Sequence, residues 1–112
     1  VKIAVVTNKP HLSAIKMIET LFGKGYFDLI TGAKDDMPRK PDPTTTKATL
    51  KALNCKANEA IFFGDSDVDV KTAKNAGIEA IACSWGSRSF ESLLAPSPSA
   101  IIDEPKYISP LF

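Results

Sequence analysis

Asp65 and Asp69 stand four residues apart, directly after the apolar run Ile61-Phe62-Phe63-Gly64. Residues at that spacing share one face of a helical turn. A strand that ends in Gly-Asp delivers the first acid to a strand's carboxyl end, where α/β folds bind ligands. Two hard oxygen ligands held this way suit Mg²⁺, which takes few protein carboxylates and keeps several waters. Two further residues fit the same chemistry. Thr7 follows the apolar run Ile3-Ala4-Val5-Val6, and Lys40 precedes the rigid Pro41-Asp42-Pro43. A hydroxyl, an ammonium and an acid pair at strand ends are what a bound phosphate requires. They provide donors for its oxygens, positive charge, and a metal bridging oxygen to carboxylate.

Each of these residues also has a plain explanation. Ser66-x-x-Asp69 is close to a capping box, and an acid in the first helical turn suits the macrodipole. Asn8 is a good N-cap ahead of a helix whose first turn accepts Pro10. Asp67 fits an ion pair with Lys71 one turn further on. Lys9 and Arg39 read as solvated charges. His11 has no partner at metal-ligand spacing and reads as a surface or packing residue. Trp85 reads as packing its own loop.

The elements that would carry these groups alternate. Apolar runs at residues 2–6, 27–30, 60–63 and 78–83 read as strands buried on both faces, and residues 100–102 as a short last one. A helix after Pro10 buries a stripe of Leu12, Ile15, Ile18 and Phe22, widened by Leu21, and stops at Gly23 and Gly25. A second runs from Pro43 or Thr44 to about Asn54, with Ala48, Leu50 and Leu53 inward. A third begins at Ser66, buries Val70, Ala73 and Ala76, and ends at Gly77. A short fourth covers residues 90–94. Strand and helix in alternation predict a doubly wound parallel sheet in three layers.

A chain of 112 residues allows one domain, 1–112, with an irregular tail over 103–112. With 44% hydrophobic and 24% charged residues its composition is that of a globular protein. The net charge of +1 gives no electrostatic case for nucleic acid or an anionic membrane. No apolar run approaches a membrane span. Cys55 and Cys83 lack metal-ligand spacing and read as reduced thiols in a cytoplasmic protein. Val1 opens directly into a strand pattern with no Met, so the chain is expected to be cut from something longer.

Val5-Val6-Thr7-Asn8-Lys9, Arg39-Lys40-Pro41-Asp42-Pro43 and Gly64-Asp65-Ser66-Asp67-Val68-Asp69 together resemble the second, third and fourth motifs of the haloacid-dehalogenase superfamily. The wording is similar to its phosphoglycolate-phosphatase-like branch, as are residues 70–77 and Ser84-Trp85-Gly86. The resemblance implies a Rossmann-like core and Mg²⁺-dependent hydrolysis of a small phosphorylated metabolite. It implies that Thr7 and the amide of Asn8 bind the phosphoryl group. Lys40 would hold the charge shared by that group and the nucleophile. Asp65 would ligate Mg²⁺. Asp69 would lie behind it, bonding a metal water or Lys40.

One departure matters. Relatives of this kind begin with an Asp-x-Asp-x-Thr strand that supplies the nucleophile and the general acid–base, and no such motif occurs here. The usual helical cap is also missing. The chain therefore resembles the carboxyl-terminal part of such a phosphatase, expected to be inactive alone. A non-catalytic binding module of the same fold is the alternative. The missing strand would be central, between residues 2–6 and 60–63, leaving edges expected to meet or to promote self-association.

Overall fold

The computed structural model describes residues 1–86 and 89–107. The expected parallel α/β architecture is present, and strand pairing gives two sheets, one of two strands and one of three. The chain divides into two compact units, Val1–Lys56 and Ala57–Phe112.

In the first unit, β1 (Ala4–Pro10) leads through α1 (His11–Phe22) to β2 (Leu29–Ala33), and then to α2 (Thr44–Ala52). The two strands run parallel, Ala4 opposite Leu29 and Val6 opposite Thr31. Asp28 fastens the start of the ladder: its carboxylate accepts the Ile3 N–H at 2.8 Å, and its own N–H donates to the Ile3 carbonyl at 2.8 Å. α1 buries Ala14 and Ile18, whereas Leu12 is 81% exposed. The expected Leu12 stripe is thus rotated, because small Ala14 permits close packing on the sheet. Gly23 ends the helix at φ +95°, a conformation that favours glycine. β2 starts two residues later than expected. Phe27 instead joins Phe22 and Tyr26 in a cluster of rings 5.1–5.3 Å apart.

α2 also differs from expectation. Its buried face is Thr45, Thr46 and Thr49, while Ala48 is exposed. Two of the three hydroxyls find acceptors: Thr45 Oγ1 donates to the Pro38 carbonyl at 3.3 Å and Thr49 Oγ1 to the Thr45 carbonyl at 2.9 Å, whereas Thr46 Oγ1 is buried with no hydrogen-bond partner among the described residues.

In the second unit, β3 (Ile61–Gly64), α3 (Asp67–Ala76), β4 (Glu79–Cys83), α4 (Phe90–Leu94) and β5 (Ala100–Ile102) follow in order. β4 runs parallel to both neighbours and is the most buried strand, with Ala80, Ile81, Ala82 and Cys83 all inside. Val70, Ala73, Ala76, Ile78 and Leu93 complete this core. α3 is bounded by chemistry legible in the sequence. Ser66 caps its start through Oγ, and Gly77, at φ +75°, ends it. The Gly77 N–H bonds the Lys74 carbonyl and the Ile78 N–H the Ala73 carbonyl, a Schellman motif. A single 3₁₀ turn, Pro105–Tyr107, follows β5. The rest of the expected irregular tail, residues 108–112, lies outside the described residues. No helix among the described residues is long and apolar enough to cross a membrane.

Candidate functional site

The first unit gathers Thr7, Asn8 and Lys40. The β1–β2 register is irregular between Val6 and Pro10, so Thr7, Asn8 and Lys9 leave the ladder. Such an irregularity re-aims the side chains it carries. The Lys9 N–H donates to Thr7 Oγ1 at 3.2 Å, which fixes the oxygen and leaves the hydroxyl proton to donate elsewhere. Gly32, near the end of β2, approaches this segment closely: a Cβ there would lie 2.5 Å from His11 Cα and 2.7 Å from the Lys9 carbonyl oxygen. The Gly32 N–H donates to His11 Nδ1 at 3.0 Å, so His11 is a packing residue that ties α1 to β2.

Asn8 does not cap α1. Pro10 occupies the N-cap position, and no side chain caps the helix. The Asn8 carboxamide instead pairs with the Lys40 backbone, accepting its N–H at 3.0 Å and donating to its carbonyl at 3.2 Å. Lys40 Nζ donates to the Val6 carbonyl at 3.2 Å. The Lys40–Pro41 peptide is cis. Thr7, Asn8, Gly32, Arg39, Lys40 and Thr45 line one small cleft. Thr7 and Lys40 therefore line one recess, with the Asn8 carboxamide engaged on the Lys40 backbone; a hydroxyl and an ammonium are donors suited to an anion.

The second unit holds the acids. β3 ends at Gly64, and Ser66 Oγ accepts the Asp69 N–H at 3.2 Å. The Asp69 carboxylate reaches past the position a capping box would use and accepts the Asp65 N–H at 3.2 Å. Asp69 is 8% exposed, so it braces the turn from within, whereas Asp65 is exposed. Asp67 pairs with Lys71 at 3.5 Å, as its spacing implies. Two glycines make room for the acids. A Cβ on Gly64 would overlap the Asp69 side chain, and one on Gly86 would overlap that of Asp65.

Among the described residues, the Asp65 carboxylate has no hydrogen bond or ion pair, and no group of three or more His, Cys, Asp or Glu is placed to hold a metal. An exposed hard-oxygen donor with few protein companions fits Mg²⁺, whose remaining positions are filled by water.

Cys83, at the end of β4, lies near both acids. Burial, then the negative charge of Asp65 and of Asp69, pushes its thiol up to about 11. It is a neutral, buried and unpaired thiol, and Cys55 is also free. Because the folded thiol holds its proton more tightly than the unfolded one, its contribution is complete below pH 9 and lost as pH rises towards about 11. Metal-free protein is expected to lose stability over that window, and Cys83→Ala to flatten the loss. Urea unfolding at stepped pH measures it.

Thr7, Asn8 and Lys40 thus come together in one unit, and Asp65 and Asp69 in the other. Gly32, Gly86 and the cleft position of Arg39 were not anticipated. The need for a missing Cβ is a property of packing and leaves no mark on the residue itself.

Parallel α/β units with a recess lined by Thr7 and Lys40 and an acid-bearing turn define a class, and the sequence profile of the haloacid dehalogenase-like hydrolases matches residues 1–83. The chain belongs to that family. It is 32% identical, over 98% of its length, to a phosphoglycolate phosphatase from Pseudomonas savastanoi pv. phaseolicola, of which it spans 40%. It is 38% identical, over 76% of its length, to the phosphoglycolate phosphatase of Aquifex aeolicus, again spanning 40%. A crystal structure from Lactobacillus delbrueckii subsp. bulgaricus, carrying a provisional phosphoglycolate phosphatase assignment, matches 99% of this chain with a TM-score of 0.92 and 35% identity. The chain covers 46% of that structure, less than half its length.

Proposed function

We propose that these 112 residues supply the phosphate- and Mg²⁺-binding part of a phosphomonoester hydrolase that works through an aspartyl phosphate, with phosphoglycolate as the first candidate substrate. The observation that carries this reading is that Thr7 and Lys40 line one recess, with Lys40 Nζ 3.2 Å from the carbonyl oxygen of Val6, the residue before Thr7. Thr7 donates to a phosphoryl oxygen, with the Asn8 amide beside it, and Lys40 offsets its charge. Asp65 ligates Mg²⁺, and Asp69 holds the Asp65 turn and bonds a metal water. When bound, the metal neutralises charge on the phosphoryl oxygens.

The division of charge supports these roles. Residues 1–56 hold ten Lys and Arg against five acids, and residues 57–112 hold four against eight. One part suits an anion and the other a cation. The names of the relatives support phosphoglycolate. The two free cysteines support a cytoplasmic setting.

Covalent phosphoryl transfer needs a carboxylate in line with phosphorus. The sequence contains no Asp-x-Asp-x-Thr, so the chain alone binds and does not turn over. The alternative is a non-catalytic binding or interaction module of the same fold. With Mg²⁺ and an aryl phosphate, no product is expected, while inorganic phosphate should bind and Lys40→Ala should weaken it. Turnover abolished by Asp65→Asn would overturn the first expectation. Phosphate binding indifferent to Lys40→Ala would overturn the phosphate-binding reading.

A further inference from the structure

We propose that Asn8 is a positioning residue for Lys40: its carboxamide grips the Lys40 backbone and so fixes where the ammonium stands in the cleft. The inference rests on the phosphate-binding reading of Thr7 and Lys40 and deepens it.

The residues involved are 32 positions apart in the chain, and the grip has two points. Asn8 Oδ1 accepts the Lys40 N–H at 3.0 Å, and Asn8 Nδ2 donates to the Lys40 carbonyl at 3.2 Å. A primary amide offers a donor and an acceptor in one plane. Used together on one residue, they reproduce the pairing that a neighbouring strand would give. Lys40 needs such a tie. It lies between β2 and α2, in a stretch that also carries bonds from Met37 N–H to the Lys34 carbonyl, from Asp42 N–H to the Arg39 carbonyl and from Thr45 Oγ1 to the Pro38 carbonyl.

The far end of the side chain is tethered too. Lys40 Nζ donates to the carbonyl of Val6, two residues before Asn8. Backbone and ammonium are therefore both referred to the same three residues of β1, which also include Thr7. A lysine has four flexible carbons and much rotamer freedom. Holding it at both ends aims the cation at the recess beside the Thr7 hydroxyl before any anion arrives. The alternative use of Asn8, capping α1, is not made.

The test is a double-mutant cycle on the 112-residue chain, reading the affinity for inorganic phosphate with Mg²⁺ present. Lys40→Ala is expected to weaken binding about tenfold or more, the scale of a charge-assisted hydrogen bond. Asn8→Ala should weaken it roughly three- to tenfold, the scale of one or two net hydrogen bonds. In the Lys40→Ala background, Asn8→Ala should change nothing further. Amide exchange supplies a second readout. Asn8→Ala should expose the Lys40 N–H while leaving the Gly32 N–H, held by His11, protected.

An equal loss from Asn8→Ala with and without Lys40 would overturn the proposal, since Asn8 would then act on phosphate directly. An unchanged affinity or an unchanged Lys40 exchange rate would overturn it as well. Phosphate binding that is absent, or insensitive to Lys40→Ala, would instead fell the underlying phosphate reading, and the proposal with it. If Asn8→Ala does not fold, Asn8→Leu replaces it: the volume is kept, both hydrogen bonds to Lys40 are removed and no charge is added, so the cycle gains no new coupling.

Discussion

Gly64→Ala is expected to cost stability at or above the upper end of the roughly 1–3 kcal/mol typical of overpacking. The new methyl would overlap Cβ, Cγ and Oδ2 of Asp69. Asp69 has nowhere to go. It is buried on the first turn of α3, its N–H is held by Ser66 Oγ, and its carboxylate holds the Asp65 N–H. Relief requires β3 or α3 to shift, and α3 packs on the buried strand β4. Gly86→Ala makes a similar overlap, but with Asp65, which stands exposed on a turn and not buried in a helix. Its cost should be about 1–2 kcal/mol, and its main effect a loss of Mg²⁺ binding. Urea unfolding with and without Mg²⁺ separates the two. Gly64→Ala combined with Asp69→Ala should recover part of the loss, because two of the three overlapping atoms are gone. Equal stability of the two glycine variants would mean that Asp69 is not braced as described.

Much of the fold was legible for reasons that are local. Ser66 and Gly77 bound α3 because an Oγ acceptor and a left-handed φ are chemical properties of those residues. β3 follows from the β-branched and aromatic run Ile61-Phe62-Phe63 ending in Gly64, and β4 from the apolar run Ala80-Ile81-Ala82-Cys83. What failed depended on neighbours. A helical period allows several faces, and in α1 the small Ala14 faces the sheet while Leu12 stays outside. In α2 hydropathy points to Ala48 and Leu50, yet hydroxyls that bond back to a carbonyl can be buried, and threonines line the inner face. Phe27 has strand propensity, but two rings claim it first.

The site divides the same way. Residue types singled out Thr7, Lys40, Asp65 and Asp69 as candidates, because few side chains bind phosphate or Mg²⁺, and the structure brings Thr7 and Lys40 to one cleft and Asp65 and Asp69 to one turn. The use of Asn8 could not be read, since an N-cap and a backbone clamp require the same amide. A net charge of +1 also concealed the contrast between a basic first half and an acidic second half.

The two acids should therefore respond in opposite ways to metal. Asp65→Asn is expected to leave metal-free stability almost unchanged, because an exposed carboxylate without a hydrogen bond among the described residues loses little. Asp69→Asn should be costly without any metal. It leaves the Asp65 N–H with a neutral acceptor and puts an amide in a buried place shaped for a carboxylate. With Mg²⁺ at 100 times its dissociation constant, the parent chain gains about 2.7 kcal/mol. For a chain of this size that is a rise in melting temperature on the order of 10 °C. Asp65→Asn should abolish the rise, whereas Asp69→Asn should start lower and keep part of it. Calorimetry over a Mg²⁺ series distinguishes a ligand from the residue that supports it. A full Mg²⁺ response in Asp65→Asn would remove Asp65 from the metal and leave the acid pair a purely structural turn.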